Sequence, residues 1–232
     1  MPSAGLLHNV KNKHLTLVIE TVMWHIVGKS RFNIDWIDSV DSTNNEVKRR
    51  MERLSDLSVI SATEQTSGRG QRGNIWLSEP GKNLTFSIGI KYGGELFADA
   101  SPENQFVING IISLSIVELL AVHGIDARIK LPNDIYVNDK KICGILIEHS
   151  VLGSSLLHSI IGVGLNVNQL DFDESLANPT SILLEVSGDE MNLPSLLEEL
   201  LDIFLKYAER YSADEIQSLY QSKLLNQAKQ KK

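Results

Sequence analysis

Leu84-Thr-Phe-Ser-Ile-Gly-Ile-Lys91 sets Leu84, Phe86, Ile88 and Ile90 against Thr85, Ser87, Gly89 and Lys91 in strict alternation. Successive side chains of a strand leave opposite faces, so this period of two predicts a β-strand with one buried face. Upstream, Phe32, Ile34 and Trp36 alternate with Asn33 and Asp35, which predicts a strand over 32–40 ending at Asp41-Ser-Thr-Asn44. Val47, Met51 and Leu54 then recur at helical spacing through 44–54, with Ser42 or Thr43 available to cap the first turn. Val59 to Thr63 reads as a second short strand. Downstream, Val107, Ile111, Leu114, Ile116, Val117 and Leu120 are too dense for a surface helix, so 104–123 is expected to be a core helix closed by Gly124. Strands are expected at 126–131, 134–137, 141–148 and 156–165, with turns at Asn138-Asp-Lys140 and Leu152-Gly-Ser154. Amphipathic helices over 194–210 and 213–226 complete an α+β pattern: a mixed, mainly antiparallel sheet packed by helices on one side.

The 232 residues suffice for one large domain with a substantial core, and 42% hydrophobic with 22% charged residues is ordinary for a globular protein. A net charge of -7 makes general nucleic-acid binding a poor reading, because such binding neutralises phosphates with Lys and Arg. Cys143 is the only cysteine, which excludes an intrachain disulfide and a thiolate cluster and fits a reducing cytoplasm. Flanked by Ile142 and Ile145, it reads as a small buried apolar residue. The apolar run Leu15–Val27 is interrupted by Glu20 and His25, so it is read neither as a membrane span nor as a targeting segment.

Between two of the expected strands lies Gly68-Arg-Gly-Gln-Arg-Gly-Asn-Ile-Trp76. Its glycines let backbone N–H groups approach an oxyanion, Arg69 and Arg72 add forked cationic donors, and Trp76 offers a flat wall for a planar ring. Alone, the stretch also fits a solvated hairpin loop. It is followed by Lys130-Leu-Pro-Asn-Asp134, by Lys141-Ile-Cys-Gly-Ile-Leu-Ile-Glu148 and by Gly162-Val-Gly-Leu-Asn-Val-Asn168. No Walker-type phosphate loop occurs.

These motifs, with Asp41-Ser-Thr-Asn44 ahead of them, resemble in type and order those of the biotin protein ligases, and the resemblance spans residues 41–168. It implies the catalytic fold of that family, which is like that of class II aminoacyl-tRNA synthetases. It also implies an ATP-dependent ligase that activates biotin as biotinyl-5′-AMP and transfers it to one lysine of a biotin carboxyl carrier protein, with Mg²⁺ on the polyphosphate. Carried over by motif, Lys141 is the central lysine, meeting both the biotin carboxylate and the α-phosphate; Arg69 and Arg72, with Gly68 and Gly70, close over the phosphate. Ser42, Thr43, Asn44 and Gln65 supply neutral donors and acceptors for the ureido ring, and Gly144 lets a ligand lie against its strand. Trp76, Lys130, Asn133 and Asn166 are assigned to the nucleotide, and Asp134 to Mg²⁺, a hard ion that takes one or two protein carboxylates. On local sequence alone, helix capping accounts for Ser42 and Thr43 equally well, and Lys141 reads as a solvated strand-end lysine.

The chain departs from the pattern at Gln71 and Asn74, where basic residues are frequent, and at Leu131, where tryptophan is usual. The first two remove charge beside the adenylate and put its retention in doubt. Residues 1–30 are read as an extension of undetermined role, too short for the helix-turn-helix domain of the family's repressor members, so no DNA binding is expected. Residues 31–226 are read as the catalytic domain and 227–232 as a polar tail, with the family's C-terminal SH3-like domain expected to be missing. No membrane association is expected, and a homodimer is left open. Two alternatives stand beside the ligase reading: a ligase for a related acid such as lipoate, and a biotin-binding module without catalysis.

Overall fold

The computed structural model describes residues 31–94, 96–102 and 104–225. The readings made for 1–30 and 227–232 lie outside the described residues. Seven strands form one sheet: β1 (Asn33–Val40), β2 (Ser58–Gln65), β3 (Leu84–Lys91), β4 (Ala127–Lys130), β5 (Asp134–Val137), β6 (Lys140–Leu152) and β7 (Ser155–Leu165). Their order is β1-β2-β3-β7-β6-β5-β4, with β1 and β2 parallel and every other pair antiparallel. Among the described residues the helices are α1 (Thr43–Arg50), α2 (Asn104–Val122), α3 (Ile182–Val186), α4 (Leu193–Arg210) and α5 (Ala213–Ser222).

The alternation along β3 sorts its side chains between two very different surfaces. Phe86 and Ile88, with Cys143 and Ile145 of β6 and Ile161 and Val163 of β7, join α2 and α4 in the main core. Burying one such phenylalanine or isoleucine is worth about 1.5–3 kcal/mol, so this face supplies most of the drive to fold. Thr85, Ser87 and Gly89 point the other way and are buried as well. The expectation of one buried face is therefore corrected: α1 lies across the second face, packing Val47 and Met51 on Ile60 and Ile160. The three long helices cover one side of the sheet as expected, and the short α1 shares the opposite side with the cavity described below.

Helix α2 is long and apolar enough to cross a membrane, yet it is mostly buried inside this fold, where it packs against α4 and α5. It ends as its glycine predicts: Gly124 takes φ +80, and the N–H of Ile125 returns to the Leu120 carbonyl at 2.8 Å. The last helix stops at Ser222 rather than running to 226, because the chain turns to pair with the edge of the sheet. Ile129 donates to the Lys223 carbonyl (2.9 Å) and accepts from Leu225 (2.7 Å), satisfying backbone groups that edge strand β4 would otherwise leave open.

Candidate active site

On the face that carries α1, the middle of the sheet has almost no side chains. Gly144 on β6 pairs with Gly164 on β7, and Gly162 follows one pleat along. A methyl at Gly164 would stand 2.2 Å from the Trp76 ring, one at Gly144 2.9 Å from the same ring, and one at Gly162 2.2 Å from Asn44 Oδ1. The three glycines form a floor on which other groups rest directly on backbone. Above it is a cavity of about 250 Å³, walled by the start of α1, the 68–76 loop and β5 to β7.

Lys141 reaches this cavity through a break in the strand pattern. Regular alternation would put Lys141 and Gly144, three residues apart, on opposite faces. The β5–β6 register skips one residue: Ile135 pairs with Cys143 and Tyr136 with Lys141, leaving Ile142 as a bulge. Ile142 and Cys143 consequently both enter the core, each 0% exposed, and Lys141 returns to the face of Gly144. A methyl on Gly144 would lie 3.4 Å from Lys141 Cε, and the ammonium sits 2.8 Å from Asp134 Oδ1. The strand end is pinned by two backbone bonds, Lys141 N–H to the Asn178 carbonyl (2.8 Å) and Thr180 N–H to the Lys141 carbonyl (2.9 Å). The sequence reading of a plain strand missed this bulge.

The N-terminal turn of α1 supplies the polar wall. Ser42 occupies the N-cap position, but its side chain makes no capping hydrogen bond; it is buried and borders the cavity. Thr43 donates its backbone N–H to Gln65 Oε1 (2.8 Å), and its hydroxyl reaches the same oxygen at 3.2 Å. Ser87, fully buried, bridges the Thr43 hydroxyl (2.7 Å) and Asn44 Oδ1 (2.6 Å). Capping by side chain therefore does not account for Ser42 or Thr43. Asp41 lies outside the cavity lining and holds α1 instead: Arg49 and Asn45 donate to its carboxylate, and the Arg49 bond keeps its carboxyl far below the usual range.

The glycine loop folds as a small hairpin. Trp76 N–H bonds the Gly68 carbonyl (2.9 Å) and Gly70 N–H the Asn74 carbonyl (2.7 Å), with Arg72 at φ +56 and Gly73 at φ +82 turning the tip. Gly68 itself is buried outside the lining, and a side chain there would meet the Trp76 carbonyl at 2.4 Å, so its part is to close the hairpin. The Trp76 indole covers Gly144 and Gly164, its Nε1 is buried without a partner, and Lys141 Nζ lies 5.7 Å from the ring centre. Arg69 ion-pairs with Glu148, whose Oε2 also accepts from Asn44 Nδ2 at 2.8 Å. Burial pushes the Glu148 carboxyl up, but the hydrogen bonds from Arg69 and Asn44 outweigh it and leave it below its ordinary value.

Most residues singled out in the sequence meet here. Besides Gly68, two others do not border the cavity. Asn166 is buried outside the lining, where Nδ2 donates to the Thr180 carbonyl (2.9 Å) and its backbone joins Ile142 and Ile182; it ties β7 to α3. Lys130 sits one strand further out, its ammonium 4.2 Å from the Tyr136 ring centre. Asn133 borders the cavity while its amide donates to the Ile145 carbonyl. Ser87, Glu148, Gly162 and Gly164 were not assigned roles beforehand. Strand parity carries the signal for Glu148, since residues 144, 146 and 148 share a face.

Lys141, Arg69 and Arg72 against the single lining carboxylate of Asp134 make the wall cationic in a chain of net charge -7. Among the described residues no cluster of three or more His, Cys, Asp or Glu could cage a metal. One carboxylate beside a cationic wall suits a Mg²⁺ that takes its remaining ligands from phosphates and water.

Residues 36–166 match the family described as Biotin/lipoate A/B protein ligase family. The chain is 30% identical over 163 residues to the Bifunctional ligase/repressor BirA of Escherichia coli (strain K12), covering 70% of this chain and 49% of that protein. It is likewise 30% identical over 204 residues to Biotin--protein ligase 2 of Arabidopsis thaliana, covering 85% of this chain and 57% of that protein. The chain thus spans about half the length of these curated relatives. Its fold superposes on the biotin protein ligase of Aquifex aeolicus in complex with biotin and ATP with a TM-score of 0.68, 27% identity, and coverage of 83% of this chain and 78% of that one. In fold and in sequence, the chain belongs to the biotin/lipoate A/B protein ligase family.

Proposed function

We propose that this chain activates biotin with MgATP as biotinyl-5′-AMP and transfers the biotinyl group to a lysine of a biotin carboxyl carrier domain. The observation that carries the reading is the bulge at Ile142, which brings a lysine onto the glycine floor between an arginine-bearing loop and a wall of neutral hydrogen-bonding groups. The relative from Aquifex aeolicus, solved with biotin and ATP, supports the choice of substrates.

In the first half-reaction a carboxylate oxygen attacks the α-phosphorus of ATP; a new P–O bond forms and the bond to the β-phosphate breaks, releasing pyrophosphate. Two anions must meet, so the task of the protein is charge management. Lys141 offsets the repulsion between carboxylate and phosphate, and Arg69 and Arg72 add donors from the loop. Ser42, Thr43 and Gln65 offer the neutral hydroxyl and amide groups that a ureido ring needs. Trp76, seated on Gly144 and Gly164, keeps water from the floor and supplies a flat face for a ring. Mg²⁺, held on Asp134 and substrate phosphates, would neutralise the polyphosphate. In the second half-reaction the lysine amine of the acceptor attacks the adenylate carbonyl, AMP leaves, and the amine gives up a proton.

A single buried cysteine accords with a reducing compartment, and we place the reaction in the cytoplasm as part of the same proposal. The test is exchange of labelled pyrophosphate into ATP with biotin, lipoate or no acid. Exchange with biotin alone supports the reading. Exchange only with lipoate overturns the choice of acid, and biotin binding without any exchange points to a binding module.

A further inference from the structure

Glu148 sits badly with a purely anionic ligand site, because a carboxylate there repels the phosphates that Arg69 and Lys141 attract. It shares the face of Gly144 two pleats along β6, and one of its oxygens receives two donors from different walls of the cavity. Asn44 comes from the first turn of α1, and Arg69 comes from the glycine loop. The two donors differ in what they require. The Asn44 amide needs only an acceptor and is already held by the Leu146 carbonyl (3.2 Å) and by Ser87 (2.6 Å). The Arg69 guanidinium is 40% exposed and is held to the body of the protein by this ion pair.

We propose that Glu148 is a positioning residue: it anchors the 68–76 loop through Arg69 and couples the placement of that loop to the amide pocket around Asn44. Fixing a long cationic side chain before ligand arrives removes part of the ordering cost of binding, so the ligand-free protein already carries its anion clamp closed over the floor. A phosphate then takes over the guanidinium, while Asn44 keeps its acceptor. The anchoring stands on the geometry alone; its effect on ATP rests on the adenylation reading above.

Glu148→Gln and Glu148→Ala in the full chain separate the two bonds, since glutamine retains an acceptor for Asn44 but no charge for Arg69. The first readout is amide hydrogen exchange of the ligand-free protein at Gly70 and Trp76, whose bonds hold the loop's hairpin. Both variants should exchange on the order of fivefold faster there, with β7 unchanged. Unchanged loop exchange in both, or an equal acceleration in β7, overturns the anchoring. The second readout is pyrophosphate exchange. Glu148→Gln should raise KM for ATP on the order of fivefold to tenfold and leave KM for biotin unaltered, whereas Glu148→Ala should raise both. In an Arg69→Ala background Glu148→Gln should add nothing, and additive losses would argue for a merely structural carboxylate. A wild-type chain that shows no acid-dependent exchange removes the adenylation reading, and the hydrogen-exchange result then decides the anchoring by itself.

Discussion

Replacing Gly162 with alanine puts a methyl 2.2 Å from Asn44 Oδ1 and 2.9 Å from its Cγ, a separation no pair of real atoms sustains. Gly162 is not among the residues of positive φ, so the alanine meets no backbone strain and the cost comes from Asn44 alone. That side chain is 3% exposed and fixed by three hydrogen bonds, to the Leu146 carbonyl, to Glu148 and from Ser87. To clear the methyl it must give up most of them. At about 1 kcal/mol each the loss is about 3 kcal/mol, and alanine returns about 0.4–1 kcal/mol by narrowing the unfolded ensemble. The expected net destabilisation is about 2 kcal/mol, read as a lower urea midpoint at constant m-value. The cycle with Asn44→Ala is the decisive assay, because removing the amide removes the clash. In that background Gly162→Ala should cost less than about 0.5 kcal/mol. Additive effects of the two substitutions would mean that the close approach is not what fixes glycine at this position.

Lys141→Ala should abolish pyrophosphate exchange by a factor on the order of 10²–10³ while direct binding of biotin survives, as followed by calorimetry; unaltered exchange would remove Lys141 from its role. The Glu148 carboxyl is lower in the folded than in the unfolded chain, so its stabilising contribution is complete above the unfolded value and fades as pH falls through the folded one. Loop protection measured by hydrogen exchange should therefore weaken below roughly pH 4 and hold steady around neutrality, and Glu148→Gln should flatten that acid limb. Burial pushes the Cys143 thiol far up, so a thiol reagent should label it only as fast as the protein opens; rapid labelling of the native state would contradict its place in the core. Phe204 is fully buried with Phe32 and Phe97 at 6.0 and 6.4 Å, and Phe204→Ala should cost about 3–5 kcal/mol by denaturant titration.

Where the sequence was easy to read, one surface decided the pattern. Leu84 to Ile90 alternates because one side must be apolar to meet α2 and α4, and the strand appears where expected. The alternation reports polarity, however, and Thr85 and Ser87 are polar without being exposed, since α1 and the cavity cover them. Helix α3 escaped notice because five residues cannot express a helical period; it is set by the Ser181 cap and by the Ile182 and Leu183 N–H groups, which donate to the Asn166 and Val167 carbonyls. The site was legible as an ordered set of motifs, and Ser42, Thr43, Gln65, Arg69, Trp76, Asp134 and Lys141 all border one cavity. Asn166 was assigned by its motif alone; it follows Leu165, where the chain leaves the sheet, and its amide turns to the Thr180 carbonyl. Lys130, which faces Asp134 across the ladder, instead lays its ammonium over the ring of Tyr136, the partner of Arg128.

The skipped residue at Ile142 acts like a frameshift in a two-letter text of inside and outside. Before it and after it the strand spells the same alternation, but the phase is inverted, and that inversion decides which side of the sheet holds the ammonium. Straightening the strand at Ile142 while keeping every residue would leave every motif letter in order and the composition unchanged. It would nonetheless turn the lysine into the apolar core and leave the glycine floor without its cation. Transplanting this chemistry to another sheet therefore requires copying the irregularity along with the residues, since a straight strand bearing the same side chains would present a different surface.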